Sequence, residues 1–220
     1  TRVSAWSRQT LRDRPEAASD ADARRDAPAI LQMLGAGGWL DGVRNQDLRA
    51  LCLVREAIAG ESPLADALIA IQGLGATPLL LAGTVDGQDP WVERLVQGRA
   101  IAAFAMTEPQ AGSDVAAMET RATRDGDAWV IDGQKHLISN AGIADVYLVF
   151  AKTSPEKGSR GITIFVVPGT TPGLSFEGAQ ALSAPHPLGR LRFSHCRVPA
   201  NAVVGEPDRG FKQGMMTLDR

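Results

Sequence analysis

Residues 103–114 read Ala-Phe-Ala-Met-Thr-Glu-Pro-Gln-Ala-Gly-Ser-Asp and separate two kinds of sequence pattern. The apolar, β-prone first half stops at Pro109 and opens into a loop of small and hydroxylated residues. Such a loop can bring backbone N–H groups and short hydroxyl groups against a flat, anionic ligand, because no bulky side chain intervenes. Helical patterns precede this stretch and strand patterns follow it. We therefore predict an α+β fold that begins with a helical bundle.

The region before residue 100 contains two segments with clear helical signals. Four apolar residues recur at three- and four-residue spacing: Leu48, Leu51, Val54 and Ile58. Gly60 then provides a stop signal. Ser62-Pro63 provides an N-cap followed by proline at the first helical position, and Gly73 is predicted to close that second helix.

Weaker signals lie at either end of this helical region. Asp89-Pro90 repeats the start signal, and Gly98 is predicted to end the segment that follows. Residues 1–27 are polar and predict a surface helix or a loosely held arm, with Pro15 and Pro28 as breaks.

The apolar period changes to that of strands near residue 100. Residues 101–106 form a short apolar run, and Asp125-Gly126 predicts a hairpin turn, with Asp132-Gly133 as a second turn. Further strand-like runs lie at residues 145–152, 161–167 and 188–198. Many short strands with frequent turns predict an antiparallel β-barrel or sandwich.

These patterns divide the chain into three parts. We predict an N-terminal helical domain over residues 1–100, a middle β-barrel domain over 101–207, and the start of a further helical domain over 208–220. Four apolar residues of that last part follow helical spacing: Phe211, Met215, Met216 and Leu218.

Composition excludes several classes of protein. The 220 residues carry a net charge of −2 and show no basic block, which argues against nucleic-acid binding. Acidic residues in the Arg-rich N-terminus argue against a transit peptide, and we expect no membrane span and a cytoplasmic protein. Cys52 and Cys196 are predicted to be buried, reduced thiols. The three histidines do not form a metal-binding pattern, so no metal site is expected.

Residues 103–114 resemble the flavin-binding signature of the acyl-CoA dehydrogenase family, which reads roughly Ala-hydrophobic-Thr-Glu-Pro-x-Ala-Gly-Ser-Asp. Residues 133–140, Gly-Gln-Lys-His-Leu-Ile-Ser-Asn, resemble the second flavin segment of that family. Residues 197–201 and 210–212 resemble its third landmark. The resemblance covers residues 84–220 well and the first eighty residues loosely.

This resemblance implies FAD as cofactor and an acyl-CoA thioester as substrate, with desaturation of its α,β bond. Thr107 would offer its hydroxyl and N–H to the polar edge of the flavin, where negative charge accumulates on reduction. The implied cofactor-binding residues are Phe104, Met106, Thr107, Gly112, Ser113, Leu137, Ile138 and Ser139. The implied substrate-binding residues are Ser113, Asp219 and Arg220.

Two features depart from the family pattern. Leu137 stands where the family has a tryptophan against the flavin ring, which removes aromatic stacking worth about 0.5–1.5 kcal/mol. The glutamate that removes the substrate α-proton in this family has no counterpart in the chain, because both of its known positions fall after Arg220. No catalytic residue can therefore be named, and the chain is expected to be part of a longer polypeptide whose C-terminal helical domain is missing.

Other candidate residues receive less functional interpretations. Glu108 and Asp114 are interpreted as residues that fix the loop, not as an acid–base pair. His195 is predicted to be a core or interface histidine, since it continues the apolar side of a strand. His186, between two prolines, either contacts the CoA moiety or belongs to a rigid surface loop. The glycines at 35–38 follow no strand, which argues against a dinucleotide fingerprint.

Three functions remain open from sequence. The first is a dehydrogenase that passes electrons to an electron-transfer flavoprotein or similar acceptor and forms a dimer, a tetramer or a hetero-oligomer. The second is a non-catalytic, flavin-binding partner subunit, which Leu137 favours. The third is an acyl-CoA oxidase or a flavin-dependent monooxygenase of the same fold, and the intact Thr107-Glu108-Pro109 sequence favours the dehydrogenase over the monooxygenase.

Overall fold

The computed structural model describes residues 1–83 and 90–219 and confirms the α+β class. The helices are α1 Arg2–Thr10, α2 Asp20–Ala36, α3 Asp41–Arg44, α4 Leu48–Ala59, α5 Pro63–Ala82, α6 Pro90–Val96 and α7 Gly210–Leu218. The strands are β1 Ala102–Ala105, β2 Arg121–Asp125, β3 Ala128–Ser139, β4 Val146–Lys152, β5 Ile162–Pro168, β6 Leu174–Ala179 and β7 Leu188–Pro199. Two positions used in the sequence analysis, Asp89 and Arg220, lie outside the described residues.

The helix-start and helix-stop signals are confirmed where a cap decides the boundary. The Ser62 hydroxyl accepts a hydrogen bond from Ala65 N at 3.3 Å, and α5 begins with Pro63. Gly60 is the C-cap of α4, and Gly98, at φ +65°, follows α6. Because these caps satisfy terminal backbone groups locally, sequence alone identifies them.

Two predicted breaks, at Pro28 and Gly73, are wrong. α2 runs through Pro28, and α5 continues past Gly73 to Ala82. Both helices are held by buried apolar faces, Leu31 and Leu34 in α2 and Leu68 in α5 among them. Burial along a whole helix therefore outweighs the local cost of one proline or glycine.

α5 is long and apolar enough to span a membrane, with a mean hydropathy of 1.6 over its best window. No membrane span was expected from the sequence, and α5 is the one described helix whose length and composition would permit one. Half of that window is buried inside the protein. Its buried residues Leu64, Leu68 and Leu79 belong to the hydrophobic core, and a core helix has the same composition.

The strands form one curled sheet of seven strands, in the order β1-β4-β2-β3-β7-β6, with β5 paired to β4. The antiparallel prediction needs correction, because β1 and β2 both pair with β4 in parallel. β1 pairs along residues 146–149 of β4, and β2 meets β4 only at Lys152. Both parallel connections are long, so no hairpin turn was there to reveal them.

β3 and β7 are long strands whose bulges changed two predictions. Asp132-Gly133 is no turn, since β3 continues to Ser139. Ser194 and His195 of β7 lie opposite the single residue Asp132. This extra residue reverses the side-chain alternation, so His195 has φ +50° and a side chain that is 91% exposed instead of buried.

The expectations for the two cysteines and for the strand positions are confirmed only in part. Cys196 is buried as predicted, and burial raises the pKa of its thiol to about 11. Cys52 is exposed, contrary to prediction, at the edge of a cavity between α4 and α5. β6 went unpredicted, although Leu174 and Phe176 alternate with Ser175 and Glu177.

Helices and sheet share a single cluster of buried apolar residues. α5 packs closely against β1, where a methyl group on Gly75 would overlap Cβ of Ala102. Gln72, also on α5, accepts a hydrogen bond from Ala102 N at 2.8 Å and donates to Ala100 O at 2.9 Å. α5 therefore positions the strand that leads into residues 103–114. The division of the chain into three domains stays a prediction.

Candidate functional site

The two motif segments, residues 103–114 and 133–140, are in direct contact. His136 N donates to Thr107 O at 2.9 Å. Lys135 Nζ donates to Met106 O at 3.0 Å and to Glu108 Oε1 at 2.7 Å. Successive residues of β3 thus hold the end of β1 and the start of the loop after it.

Glu108 fixes the loop from inside the protein, as predicted. Its carboxylate accepts hydrogen bonds from Glu119 N at 2.6 Å and Thr120 N at 3.1 Å, besides Gln110 Nε2 at 2.7 Å. Burial alone would raise the pKa of this carboxyl group, but the charge of Lys135 and these donors hold it below its usual value. Burial lowers the pKa of Lys135 from 10.5 to about 8.

The loop leaves a group of donors unused. In the described part of the chain, no hydrogen bond occupies the hydroxyl groups of Thr107 and Ser113 or the N–H groups of Gly112 and Ser113. Thr107 is half-buried, while Gly112 and Ser113 are exposed, and a Cβ on Gly112 would meet no atom within 4 Å. The space beside Gly112 is open, and this suits an acceptor-rich ligand that comes from outside.

Asp114 has no side-chain hydrogen bond within the described residues and is exposed. The prediction that it fixes the loop through its side chain is therefore wrong. Its backbone carbonyl alone accepts a hydrogen bond, from Ala117 N at 3.1 Å.

The end of β3 presents the second set of predicted residues at a bulge. Leu137 has φ +55° and is 49% exposed, and its N–H donates to Gln180 Oε1 at 2.8 Å. A leucine rarely adopts such a backbone, which hydrogen bonds on both sides hold in place. Ile138 is buried, so only its backbone can reach a ligand, whereas Ser139 lies half-exposed on the outer side of the strand.

The Ser139 hydroxyl already has a partner, His186, whose Nε2 lies 2.7 Å from Ser139 Oγ. His186 is half-buried, and this lowers the pKa of its imidazole. Gln180 joins the same loop to β3, since its Nε2 lies 2.9 Å from His136 Nε2. The segment from Gln180 to Pro187 thus covers the outer side of the β3 end.

Phe104 and Met106 point the other way, toward α7. The Phe104 ring packs against Phe150 at a centroid distance of 4.8 Å. Met106 is buried, and its Cε would lie 2.7 Å from a methyl group on Gly214 of α7. Any ligand contact of Met106 would therefore pass through its backbone or require α7 to move.

The predicted substrate residue Asp219 is exposed at the C-cap of α7, and Arg220 lies outside the described residues. Beside α7 lies a cavity of about 350 Å³ between α4, α5 and α7. Its lining is mainly apolar and includes Leu51, Leu74 and Leu218. This cavity had no signal in the sequence, because its walls come from three separated helices.

Four functional contacts escaped the sequence analysis. Lys135 lies within the second motif, but its residue type alone indicated no role. The contacts of Gln180 and His186 depend on how the loop between β6 and β7 folds. Arg24 of α2 donates to Leu188 O at 2.7 Å and also to Ala141 O. A charged residue on an apolar helix face was the available signal for Arg24.

Comparison with known proteins identifies the family. The family model described as "Acyl-CoA dehydrogenase, middle domain" matches residues 103–196. A probable acyl-CoA dehydrogenase of Mycobacterium leprae is 35% identical over 213 residues, which cover 92% of this chain and 54% of the relative. The acyl-CoA dehydrogenase structure from Geobacillus kaustophilus matches with a TM-score of 0.83 at 28% identity, over 98% of this chain and 60% of that chain. The chain belongs to the acyl-CoA dehydrogenase family.

A chain in a solved structure described as "Electron transferring flavoprotein of Acidaminococcus fermentans" matches this acyl-CoA dehydrogenase family member with a TM-score of 0.85 at 25% identity. The match covers 99% of this chain and 60% of the chain in that structure. The chain spans about half the length of the curated relatives it matches.

FAD is the cofactor of the acyl-CoA dehydrogenase family. The residues present fit it, because the unused donors of Thr107, Gly112 and Ser113 suit the acceptor atoms of a flavin and its phosphates. The exposed Leu137 adds an apolar surface beside them. The donor set and this surface belong to two segments that Lys135 holds together.

Proposed function

We propose that this chain forms the FAD-binding part of an acyl-CoA dehydrogenase that desaturates the α,β bond of an acyl-CoA thioester. The observation that carries the proposal is the contact of Lys135 with both Met106 and Glu108, which joins the two flavin segments. When bound, FAD supplies a hydride acceptor at N5. The residues of the chain bind and orient this acceptor.

Thr107, Gly112 and Ser113 bind the polar side of the cofactor with their hydroxyl and N–H donors. A preorganised donor at a position of developing charge lowers the barrier without reorganisation cost. Ser113 is also proposed to contact the thioester, and Leu137 packs against the ring. The backbone of Phe104–Met106 and Ile138 completes the site.

Proton abstraction is assigned to a glutamate outside this chain. Glu108 cannot serve as the base that removes the proton. It is buried, and Lys135 and two backbone N–H groups hold its pKa below the usual value. Asp114 is exposed, and no side-chain hydrogen bond among the described residues holds it in place as a base.

The cavity between α4, α5 and α7 is proposed to receive the acyl chain. Its apolar lining supports this, as does the position of Leu218 directly before Asp219, which we assign with Arg220 to the pantetheine arm.

The physiological setting follows from the same proposal. We propose a cytoplasmic oligomer that delivers its electrons to an electron-transfer flavoprotein. A flavin-binding partner subunit without dehydrogenase activity is the second candidate, favoured by the exposed Leu137 in place of an aromatic residue. An acyl-CoA oxidase would share every residue named above.

The test uses the full-length polypeptide that contains this chain. We expect purified protein to contain FAD and its visible flavin absorption to bleach when acyl-CoA thioesters of graded length are added without oxygen. Electron-transfer flavoprotein should then restore the absorption. FAD without bleaching by any thioester supports the partner subunit, rapid reoxidation by oxygen supports the oxidase, and protein that binds no flavin contradicts the proposal.

A further inference from the structure

Ser139 differs from the other two hydroxyl residues of the motifs because its hydroxyl already has a hydrogen-bond partner. His186 Nε2 lies 2.7 Å from Ser139 Oγ, whereas Thr107 and Ser113 have unused hydroxyl groups among the described residues. The resulting pair lies on the outer side of β3, two residues from the exposed Leu137.

The backbone on both sides of His186 is fixed. Asn140 N donates to Pro187 O at 2.5 Å, and Gln180 N donates to Leu188 O at 2.9 Å. Pro185 and Pro187 further restrict the backbone of the intervening loop. His186 is therefore held against Ser139 by its loop and does not reach it by chance rotation of a surface side chain.

A serine hydroxyl has a single proton, so its imidazole partner decides where that proton points. If Nε2 is unprotonated, it accepts a hydrogen bond from the Ser139 hydroxyl. The hydroxyl proton then points at His186, and Oγ can only accept a hydrogen bond from a ligand. If Nε2 carries a proton and donates, the hydroxyl proton is free to point outward.

We propose that His186 is a positioning residue that donates from Nε2 to Ser139 Oγ and thereby directs the Ser139 hydroxyl proton toward the bound flavin. This inference rests on the proposed function, because it takes the flavin to lie on the outer side of β3. The flavin edge offers acceptor atoms, so an outward-pointing donor is the useful arrangement.

The surroundings of the imidazole are compatible with this tautomer. Nδ1 of His186 has no hydrogen-bond partner in the described part of the chain, and it is not one of the buried atoms that lack a partner. Water can therefore donate to Nδ1 when the proton is on Nε2.

The charges facing His186 act in opposite directions. Burial lowers the pKa of the imidazole first, the Asp20 carboxylate raises it, and the Arg24 guanidinium lowers it, both from α2. Protonation of His186 at low pH leaves Nε2 with its proton. The donor to Ser139 is therefore retained on both sides of the titration.

Two measurements on the full-length polypeptide test the inference. In flavin-free protein, the ¹⁵N chemical shifts of His186 should show a protonated Nε2 at pH 8. In FAD-loaded protein, His186→Leu should shift the flavin reduction potential and weaken FAD binding about fivefold or more, while His186→Gln, which keeps a donor, should recover most of both. His195→Leu, at an exposed histidine, is the matched control and should change neither.

The variant Ser139→Ala separates positioning from general structural support. In that background, His186→Leu should cause no further shift of the flavin potential, since the hydroxyl that it directs is gone. Equal shifts with and without Ser139, or an unprotonated Nε2, would overturn the inference while leaving the proposed function intact. Wild-type protein that binds no FAD would overturn both.

Discussion

Lys135 Nζ lies 2.7 Å from Glu108 Oε1, and the two side chains are 0% and 1% exposed. The pair connects the strand that carries the second flavin segment to the loop within the first. Attraction within a buried pair is offset by the cost of removing both charges from water. The value of this pair therefore lies in the geometry that it imposes on residues 106–108.

The variant Lys135→Met should strongly destabilise the protein. Removal of the ammonium group leaves the Glu108 carboxylate buried without a counter-charge, a loss of about 3–5 kcal/mol in the free energy of unfolding. Urea unfolding followed by circular dichroism measures it. Lys157→Met, which breaks the exposed pair with Asp208, is the control and should leave the urea midpoint nearly unchanged.

The double variant Lys135→Met with Glu108→Gln should recover most of this loss, because no buried charge then remains. A double variant as unstable as Lys135→Met alone would show that packing around the lysine stem, and not its charge, stabilises the site.

The packing of α5 on β1 is tested by two glycines in one helix. Gly75→Ala should destabilise the protein by about 1–3 kcal/mol, because its methyl group would overlap Cβ of Ala102. At Gly73 a methyl group meets only Val43 Cγ2 at 4.0 Å, so Gly73→Ala should stabilise the helix by about 0.5–1 kcal/mol. Thermal unfolding of both variants should thus give midpoints on opposite sides of wild type.

Thr107→Ala in the full-length polypeptide should weaken FAD retention or slow flavin reduction. Loss of one donor at a site of developing charge costs about 10²–10³ in rate, although the Thr107 N–H survives the substitution and softens this effect. Stopped-flow absorption with an acyl-CoA substrate is the measurement. Thr123→Ala, on the exposed side of β2, is the control, and an unchanged Thr107→Ala rate with full flavin content would remove Thr107 from the site.

Sequence predicted the fold well where neighbouring residues decide the outcome. The cap at Ser62 and the turn after Asp125 need only a few residues of context. Pro28 and Gly73 were interpreted wrongly because the packing of whole helices outweighed their local cost. The parallel pairing of β1 with β4 connects segments about forty residues apart and leaves no local pattern.

In the candidate site, too, sequence could predict single residues but not contacts between distant segments. Motif residues such as Thr107 and Ser113 could be named because their types and spacing suit a flavin. The pairs Lys135–Glu108 and His186–Ser139 could not, since each joins side chains far apart in sequence whose approach depends on the folded sheet. His195 shows the reverse case, in which one bulge moved a predicted core residue to the surface.

Arg24 links the helices to the sheet, and this link matters for chimeric proteins that are built from two relatives. Its guanidinium binds the Asp20 carboxylate on its own helix and the carbonyl groups of Ala141 and Leu188 on the sheet. A chimera that joins the helices of one relative to the sheet of another therefore inherits half of this contact from each parent. Crossovers near residue 100 should succeed most often when both parents supply an arginine at position 24 and the same backbone turn at 140–142.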